Sequence, residues 1–274
     1  MRVAMLQMNA GIDPAVNALT LVQAIRDAGA AGCDMLFTPE MSNLLDSDRA
    51  RSEPHLRPEP EDETLAVVQA AAREAGLWVH LGSLALRGEN GKRLNRAIVI
   101  DFGGEVRARY DKLHLFDVDL ATGERWRESA VYARGERAVA ADTPWARLGL
   151  SICYDMRFPD LFRALTGAGA SILAIPAAFT VPTGRAHWHV LLRARAIEAG
   201  VFVVAAAQTG RHEDGRETFG HSLLVDPWGE VLLDMGTEPG LGIVDIDLAQ
   251  VDAIRARVPA LHHRREIPTV EIVG

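Results

Sequence analysis

The sequence predicts an α/β fold, in which helices and strands alternate along one chain. Two segments carry apolar residues at helical spacing, the first from Asp13 to Ile25 and the second from Glu61 to Ala75. A short apolar run that suits a buried strand follows each of them, at Met35 to Thr38 and at Leu77 to Gly82. The chain has 274 residues, of which 48% are hydrophobic, so it has enough apolar material for one large core.

The remaining elements follow in chain order. A first strand begins at Arg2, ahead of the first helix. The segment Ser42 to Glu61 is polar and has no period, which indicates a surface loop or short helix near the mouth of a site. Two interpretations of this segment remain open, a solvated connection and a rim that contacts substrate. Beyond it we predict the hairpin Ala97 to Asp101 with Val106 to Tyr110, helices at Leu161 to Ala168 and Trp188 to Ala199, strands at Ile172 to Ile175 and Val201 to Ala206, and the hairpin Leu223 to Asp234.

Charge and cysteine content exclude several classes of protein. The net charge is −8 and the pI is near 5.6, so no general attraction to nucleic acid or to an anionic membrane is expected. Two cysteines, Cys33 and Cys153, cannot form a disulfide framework, and no export signal precedes the first strand. We therefore expect a reduced, cytoplasmic protein that acts on a small molecule.

Cys153 lies where an apolar strand pattern ends and a helix pattern begins. The residues before it are apolar and short, while Pro159 and Asp160 suit the first turn of a helix. A strand-to-helix turn lifts a thiol out of the sheet, and its backbone N–H groups can receive a developing oxyanion. A buried structural thiol is the alternative, because free cysteine is among the most buried residue types.

Two other predicted strands end in an ionisable residue, Glu40 after the run from Met35 and Lys112 after the run from Val106. A thiol with an ordinary pKa of about 8.5 is mostly protonated at neutral pH, so a nucleophilic cysteine needs a base. A carboxylate can supply that base, and an ammonium can stabilise the oxyanion. Taken singly, Glu40 would more often be a helix-terminus or salt-bridge residue, and Lys112 would more often be a solvated surface charge.

Together these segments resemble the nitrilase superfamily of carbon–nitrogen hydrolases, whose members carry Glu, Lys and Cys in that chain order. Glu128 matches a second glutamate that the family places between the lysine and the cysteine. The resemblance extends to about Arg265, and it is nearest to the deaminated glutathione amidase branch. The segments that carry it are Phe37 to Glu40, Tyr110 to Phe116, Ile152 to Pro159, Ala186 to Trp188, Leu191 to Glu198, Ala205 to Gln208 and Asp226 to Gly229.

The resemblance implies an α-β-β-α sandwich of two six-stranded sheets flanked by helices. It implies one carbon–nitrogen hydrolase domain over residues 1–274, with 266–274 as a C-terminal tail, and assembly as a homodimer or higher homo-oligomer. In this family Glu40 would be the base, Glu128 would orient Lys112, and Cys153 would form a thioester with the acyl group. Lys112 and the backbone N–H of Tyr154 would hold the oxyanion, so all catalytic groups come from the chain and no cofactor is implied.

We also expect the ammonium of Lys112 to lower the pKa of the Cys153 thiol, and apolar surroundings to raise that of Glu40 toward neutrality. Metal binding is the rival use of the histidines. His187 and His189 lie close together, as do His262 and His263, but no metal-ligand spacing such as HExxH occurs. The sequence therefore predicts no metal site.

Substrate contacts are predicted at three positions that match the amidase branch, Arg157, Phe179 and Thr183. A guanidinium at Arg157 can hold a substrate carboxylate in a bidentate pair, or it can form a structural salt bridge with Asp155 or Asp160. The predicted activity is cleavage of a non-peptide amide bond in a small acidic substrate such as deaminated glutathione. Alternatives are an ω-amidase for 2-oxo acid monoamides, an N-carbamoyl amino acid amidohydrolase, a nitrilase, and a catalytically idle binding subunit.

Overall fold

Two six-stranded sheets form the centre of the molecule. The structure is a computed structural model, and it describes residues 1–119, 123 and 125–274. The helices are α1 Pro14–Ala30, α2 Arg49–Ser52, α3 Glu63–Ala75, α4 Pro159–Gly167, α5 Val181–Ile197 and α6 Ala249–Arg257. The strands are β1 Arg2–Gln7, β2 Met35–Phe37, β3 Trp78–Arg87, β4 Arg93–Ile100, β5 Val106–Asp111, β6 Asp117–Asp119, β7 Arg125–Arg127, β8 Ala140–Asp142, β9 Arg147–Leu150, β10 Ile172–Ala174, β11 Phe202–Ala205, β12 Thr209–Arg211, β13 Glu217–Phe219, β14 Leu223–Val225, β15 Val231–Asp234 and β16 Gly240–Asp245.

The first sheet has the strand order β16-β1-β2-β3-β4-β5, and the second has the order β15-β14-β11-β10-β9-β8. Strands β1, β2 and β3 run parallel, as do β9, β10 and β11, while the outer strands are antiparallel. The carboxyl ends of parallel strands lie along one edge of each sheet, which is where ligands bind in α/β proteins.

Apolar side chains of both sheets share one buried cluster, in which Phe37 and Val99 of the first sheet join Leu150 and Val204 of the second. Helices α1 and α3 cover the outer face of the first sheet, since Ile25 packs with strand residues such as Val79. Helices α4 and α5 contribute to the shared cluster of the second sheet. The predicted α-β-β-α sandwich is confirmed.

Local signals explain where the helices begin and end. Asp13 caps α1 by accepting a hydrogen bond from Ala15 N at 2.9 Å, and Pro14 occupies the first helical turn. Asp62 caps α3 through Leu65 N at 2.8 Å, and Gly76 ends that helix with φ of 61°, a left-handed conformation that glycine adopts without steric cost.

The polar segment from Ser42 to Glu61 contains α2 and two short 3₁₀ turns. Helix α5 begins at Val181 and not at the predicted Trp188, because Pro182 fits a first helical turn that the apolar spacing alone does not reveal. Residues 264–274 form no helix or strand. Among the described residues, no helix has both the length and the apolar character needed to cross a membrane.

Candidate active site

Glu40 lies just beyond the end of β2, and 4% of the residue is exposed. Its Oε1 accepts hydrogen bonds from Lys112 Nζ and from Asn95 Nδ2, both at 2.9 Å. Its Oε2 accepts one from Ala178 N at 2.8 Å, in the loop after β10. The carboxylate is therefore held by groups from both sheets.

Gly82 is the reason that the segment before Glu40 can pack so closely against β3. A Cβ atom at Gly82 would lie 1.9 Å from the carbonyl oxygen of Thr38 and 2.7 Å from that of Pro39. No side chain fits into these distances, so the backbone that carries Glu40 depends on a glycine at this position.

Lys112 lies between two carboxylates directly after β5, and only 2% of it is exposed. Its Nζ contacts Glu40 Oε1 at 2.9 Å and the two oxygens of Glu128 at 3.1 and 2.9 Å. The carboxylate of Glu128 also accepts hydrogen bonds from Phe116 N at 2.6 Å and from Asn95 Nδ2 at 3.2 Å. These four hydrogen bonds to the Glu128 carboxylate hold the ammonium of Lys112 in place.

Cys153 begins a short 3₁₀ turn, Cys153–Arg157, three residues after Leu150, where β9 ends. Its φ of 48° is left-handed, an uncommon conformation for any residue other than glycine, and its N–H donates to Pro176 O at 2.8 Å. The thiol lies beside the Glu40 carboxylate, near enough for each group to affect the pKa of the other. The predicted strand-to-helix position is therefore confirmed, with a 3₁₀ turn between strand and helix.

Asp155 fixes this turn against the segment that carries Lys112. The side chain is fully buried, and its Oδ2 accepts hydrogen bonds from Tyr110 OH at 2.6 Å and Ile152 N at 2.8 Å. Its Oδ1 accepts one from His114 N at 3.0 Å and contacts His114 Nδ1 at 2.7 Å. Burial and the neighbouring Asp155 charge raise the pKa of Tyr110, so its hydroxyl stays a donor.

The charges of the site differ from those we expected. Burial alone would raise the pKa of Glu40, but the charge of Lys112 and the hydrogen bonds from Lys112 and Asn95 bring it below its usual value. Burial and the charge of Glu40 raise the pKa of Cys153, although Lys112 opposes this. Despite burial, the charges of Glu128 and Glu40 raise the pKa of Lys112. Our expectation for Glu40 and Cys153 was wrong in direction, and the resting site pairs a carboxylate with a neutral thiol.

These three residues open into a cavity of about 840 Å³. Its floor holds Glu40, Lys112 and Cys153, and its walls come from the segment after Glu40, from β7 and from the start of α5. Met41, Leu44 and Phe179 give an apolar lining, whereas several arginines lie nearer to solvent. The arginines that line the cavity are Arg49, Arg93, Arg125, Arg127, Arg185 and Arg216.

Most of these arginines have carboxylate partners. Arg93 pairs with Glu53 at 3.0 Å, Arg127 with Asp119 at 2.8 Å, and Arg216 with Asp214 at 2.8 Å. Within the described part of the chain, Arg49 and Arg185 form no ion pair. Arg49 and Arg185 are therefore the two lining arginines without a carboxylate partner among the residues that the structure describes.

The structure places two of the three predicted substrate contacts in the lining of the cavity and leaves the third, Arg157, out of it. Phe179, Thr183 and Tyr154 line the cavity, and Thr183 Oγ1 lies 2.7 Å from Thr180 Oγ1. Arg157 is not among the lining residues, because its guanidinium lies over the ring of Phe179 at 5.6 Å and contacts His187 Nδ1 at 3.2 Å. It forms no salt bridge with Asp155 or Asp160, both of which are described residues.

Sequence reasoning missed Asn95 and Asp155, whose side chains connect the predicted residues to one another. Asn95 lies on β4, which begins four residues before the predicted strand at Ala97, so it was not considered as a buried amide. Asp155 was considered only as a partner for Arg157. The signal available for Asp155 was a charged residue two positions after the predicted nucleophile, inside the same turn.

Comparison with known proteins gives consistent results. A sequence model of the family described as carbon–nitrogen hydrolase matches residues 2–256. Deaminated glutathione amidase from Yersinia enterocolitica is 39% identical over 271 residues, which cover 98% of this chain and 94% of that protein.

Solved structures show the same likeness. The crystal structure of the C. elegans NitFhit protein is 38% identical, with a TM-score of 0.89 over 96% of this chain and 65% of that one. An amidase from Nesterenkonia sp. AN1 was solved after Michael addition of acrylamide at its active site cysteine. It is 28% identical, with a TM-score of 0.79 over 94% of this chain and 98% of that one.

Proposed function

The chain belongs to the carbon–nitrogen hydrolase family, and from this membership we propose that it is an amidase that cleaves deaminated glutathione through a thioester on Cys153. The single observation that carries the proposal is the buried cluster in which Glu40 accepts a hydrogen bond from Lys112 Nζ and lies beside the Cys153 thiol. A base, a cation and a nucleophile in mutual contact are what acyl transfer requires.

The first half of the reaction forms the acyl-enzyme. As the sulfur of Cys153 attacks the amide carbon, the thiol proton moves to the Glu40 carboxylate, which the lowered pKa keeps ionised beforehand. The ammonium of Lys112 and the N–H of Tyr154 stabilise the oxyanion. When the carbon–nitrogen bond breaks, Glu40 returns its proton to the departing amine, and a thioester remains on Cys153.

Hydrolysis of the thioester repeats these steps with water. Glu40 takes a proton from a water molecule as its oxygen attacks the thioester carbon. The carbon–sulfur bond then breaks, the acid product leaves, and the proton on Glu40 returns to the thiolate. In both halves Glu128 acts as a positioning residue, because it holds Lys112 from the side opposite to Glu40.

An acidic substrate is supported by the walls of the cavity. The guanidinium groups of Arg49 and Arg185, which pair with no carboxylate of the described residues, can bind carboxylates that lie away from the scissile amide, and such charge-assisted bonds contribute about 1.5 to 3 kcal/mol each. Arg157 lies over the ring of Phe179, which lines the cavity, so Arg157 would act on a substrate through a shift of its own side chain or through Phe179.

The test compares kcat/KM for deaminated glutathione, 2-oxoglutaramate, an N-carbamoyl amino acid and a simple nitrile, with mass spectrometry of the acyl-enzyme on Cys153. The proposal requires the highest value for deaminated glutathione. Arg185→Gln should reduce that value by about 10-fold or more, and should change the value for an uncharged short amide much less. A higher value for another compound in the panel would assign the enzyme to that alternative, and no turnover of any of them would leave an idle binding protein.

We propose three further properties that the sequence predicted. The chain forms one domain over residues 1–274 with 266–274 as a tail, which limited proteolysis would test. It assembles as a homodimer, which the exposed apolar side chains of Ile197 and Trp228 support and sedimentation would test. It is cytoplasmic, which its two free cysteines support and cell fractionation would test.

A further inference from the structure

A cluster of two histidines and one aspartate lies outside the cavity. His189 belongs to α5, Asp234 ends β15, and His221 lies between β13 and β14. His189 Nε2 is 2.9 Å from Asp234 Oδ2, and His221 Nδ1 is 2.9 and 3.2 Å from the two oxygens of Asp234. One ligand atom from each residue can be chosen so that all lie within 4.8 Å of one another.

Neighbouring groups hold these three side chains in place. Trp188 Nε1, which is buried, donates to the carbonyl oxygen of His221 at 2.8 Å, and Gly236 N donates to Asp234 Oδ1 at 2.9 Å. The ring of Phe219 stacks on that of His221 with centroids 4.4 Å apart, and its edge meets His189 at 6.2 Å. A site that is held by its surroundings loses little side-chain freedom when it binds a ligand.

We propose that His189, His221 and Asp234 bind a divalent transition-metal ion of the zinc class, with solvent as the fourth ligand. Two imidazole nitrogens and one carboxylate form a known zinc donor set, in which each ligand atom lies about 2.0 to 2.2 Å from the ion. Ligand atoms around a tetrahedral ion at that distance are about 3.3 Å apart. The His–Asp separations of 2.9 to 3.2 Å are close to this value, and the two histidine nitrogens, which lie within 4.8 Å of each other, would move closer on binding.

The charge of the three side chains and their exposure to solvent also suit a metal ion. The single carboxylate and two neutral imidazoles supply one negative charge, and on binding each ring proton that now faces Asp234 moves to the other nitrogen of its imidazole. Between 25% and 37% of each of the three side chains is exposed, so an ion can enter from solvent. None of the three lines the cavity that contains Cys153, and the proposed site is therefore separate from the proposed chemistry.

The site nevertheless adjoins a wall of that cavity. Phe219 N donates to Phe179 O at 2.9 Å, and Thr180 forms a β-bridge with Thr218. Gly184 of α5 faces the ring of Phe219 so closely that a Cβ atom there would lie 2.3 Å from it. A bound ion would join α5 to β15 and so stabilise this wall. Because the ion binds the folded protein and not the unfolded chain, its binding raises the melting temperature.

The test uses full-length protein that carries Cys153→Ala, so that the catalytic thiol cannot contribute a ligand, after removal of metal by a chelator. Calorimetric titration with Zn²⁺ should show one equivalent bound and a Tm that rises with Zn²⁺ concentration. Co²⁺ should give the visible absorption of a four- or five-coordinate ion. His189→Gln and Asp234→Asn, each added separately, should weaken binding at least tenfold and abolish the rise in Tm.

His187→Gln is the matched control, since it makes the same chemical change two residues away on α5 and should bind Zn²⁺ like the parent. Asp234→Asn keeps the shape of the side chain, so a melting curve without metal shows whether it still folds. The proposal is overturned if the parent binds no stoichiometric Zn²⁺, or if both altered proteins fold and bind it as tightly as the parent.

Discussion

Replacing Glu128 by glutamine tests whether this carboxylate positions Lys112. Its Oε2 accepts from Phe116 N at 2.6 Å and Lys112 Nζ at 2.9 Å, and its Oε1 accepts from Lys112 Nζ at 3.1 Å and Asn95 Nδ2 at 3.2 Å. A glutamine has one oxygen and one NH₂ group in those places. In either orientation the NH₂ group faces the ammonium and a second donor, so at least one charge-assisted bond to Lys112 is lost.

A bond of that kind contributes about 1.5 to 3 kcal/mol, which corresponds to a decrease of about 10- to 150-fold in kcat/KM. The assay is steady-state hydrolysis of deaminated glutathione, with a melting curve to show that the protein is folded at the assay temperature. Glu136→Gln makes the same change at an exposed position outside the site and should leave kcat/KM unchanged. A Glu128→Gln enzyme within about threefold of wild type would refute the positioning role.

Three further changes have distinct expected outcomes. Cys153→Ala should eliminate turnover with no change in Tm, whereas Cys33→Ala should keep full turnover; the reverse result would identify the other thiol as the nucleophile. His80→Leu should reduce the loss of stability in acid, because burial lowers the pKa of His80 from 6.5 to about 3. Between these two values the imidazole binds a proton in the unfolded chain but not in the folded protein. The wild type therefore loses about 2 kcal/mol of its free energy of unfolding between pH 7 and pH 5. Urea unfolding at pH 7 and 5 measures this, and an equal acid loss in both proteins would contradict it. Gly82→Ala should lower both Tm and kcat/KM, because its Cβ would overlap the carbonyl oxygen of residue 38. Gly167→Ala is the control, since it has open space around it and should change neither value. An active and stable Gly82→Ala protein would show that the segment before Glu40 can move.

The positions of Glu40, Lys112 and Cys153 could be predicted because each follows a short strand whose pattern is local in the sequence. Parallel strands end along one edge of a sheet, so residues that follow such strands can be placed near one another without any knowledge of side-chain packing. The same reasoning predicted most helices and strands, since apolar spacing and capping residues lie within a few positions of one another.

What could not be predicted depends on contacts between distant segments. Asp155 contacts Tyr110 and His114, which are 45 and 41 residues away, and no local pattern reveals that pairing. The directions of the Glu40 and Cys153 pKa shifts also depend on how many donors reach each atom, and this number follows only from the folded structure. Arg157 shows the same limit, because its position in the sequence does not show that its guanidinium lies over the ring of Phe179 and outside the lining of the cavity.

The pairing of β1 with β16 has a consequence for how the protein is made. Arg2 lies opposite Asp245, and the ammonium of Met1 donates to Ile246 O at 2.9 Å, so one edge of the first sheet is built from residues more than 200 positions apart. During synthesis the ribosome must release almost the whole chain before β1 gains this neighbour. Until then the edge of β1 exposes unpaired N–H and C=O groups, which is the kind of surface that chaperones protect from association with other nascent chains.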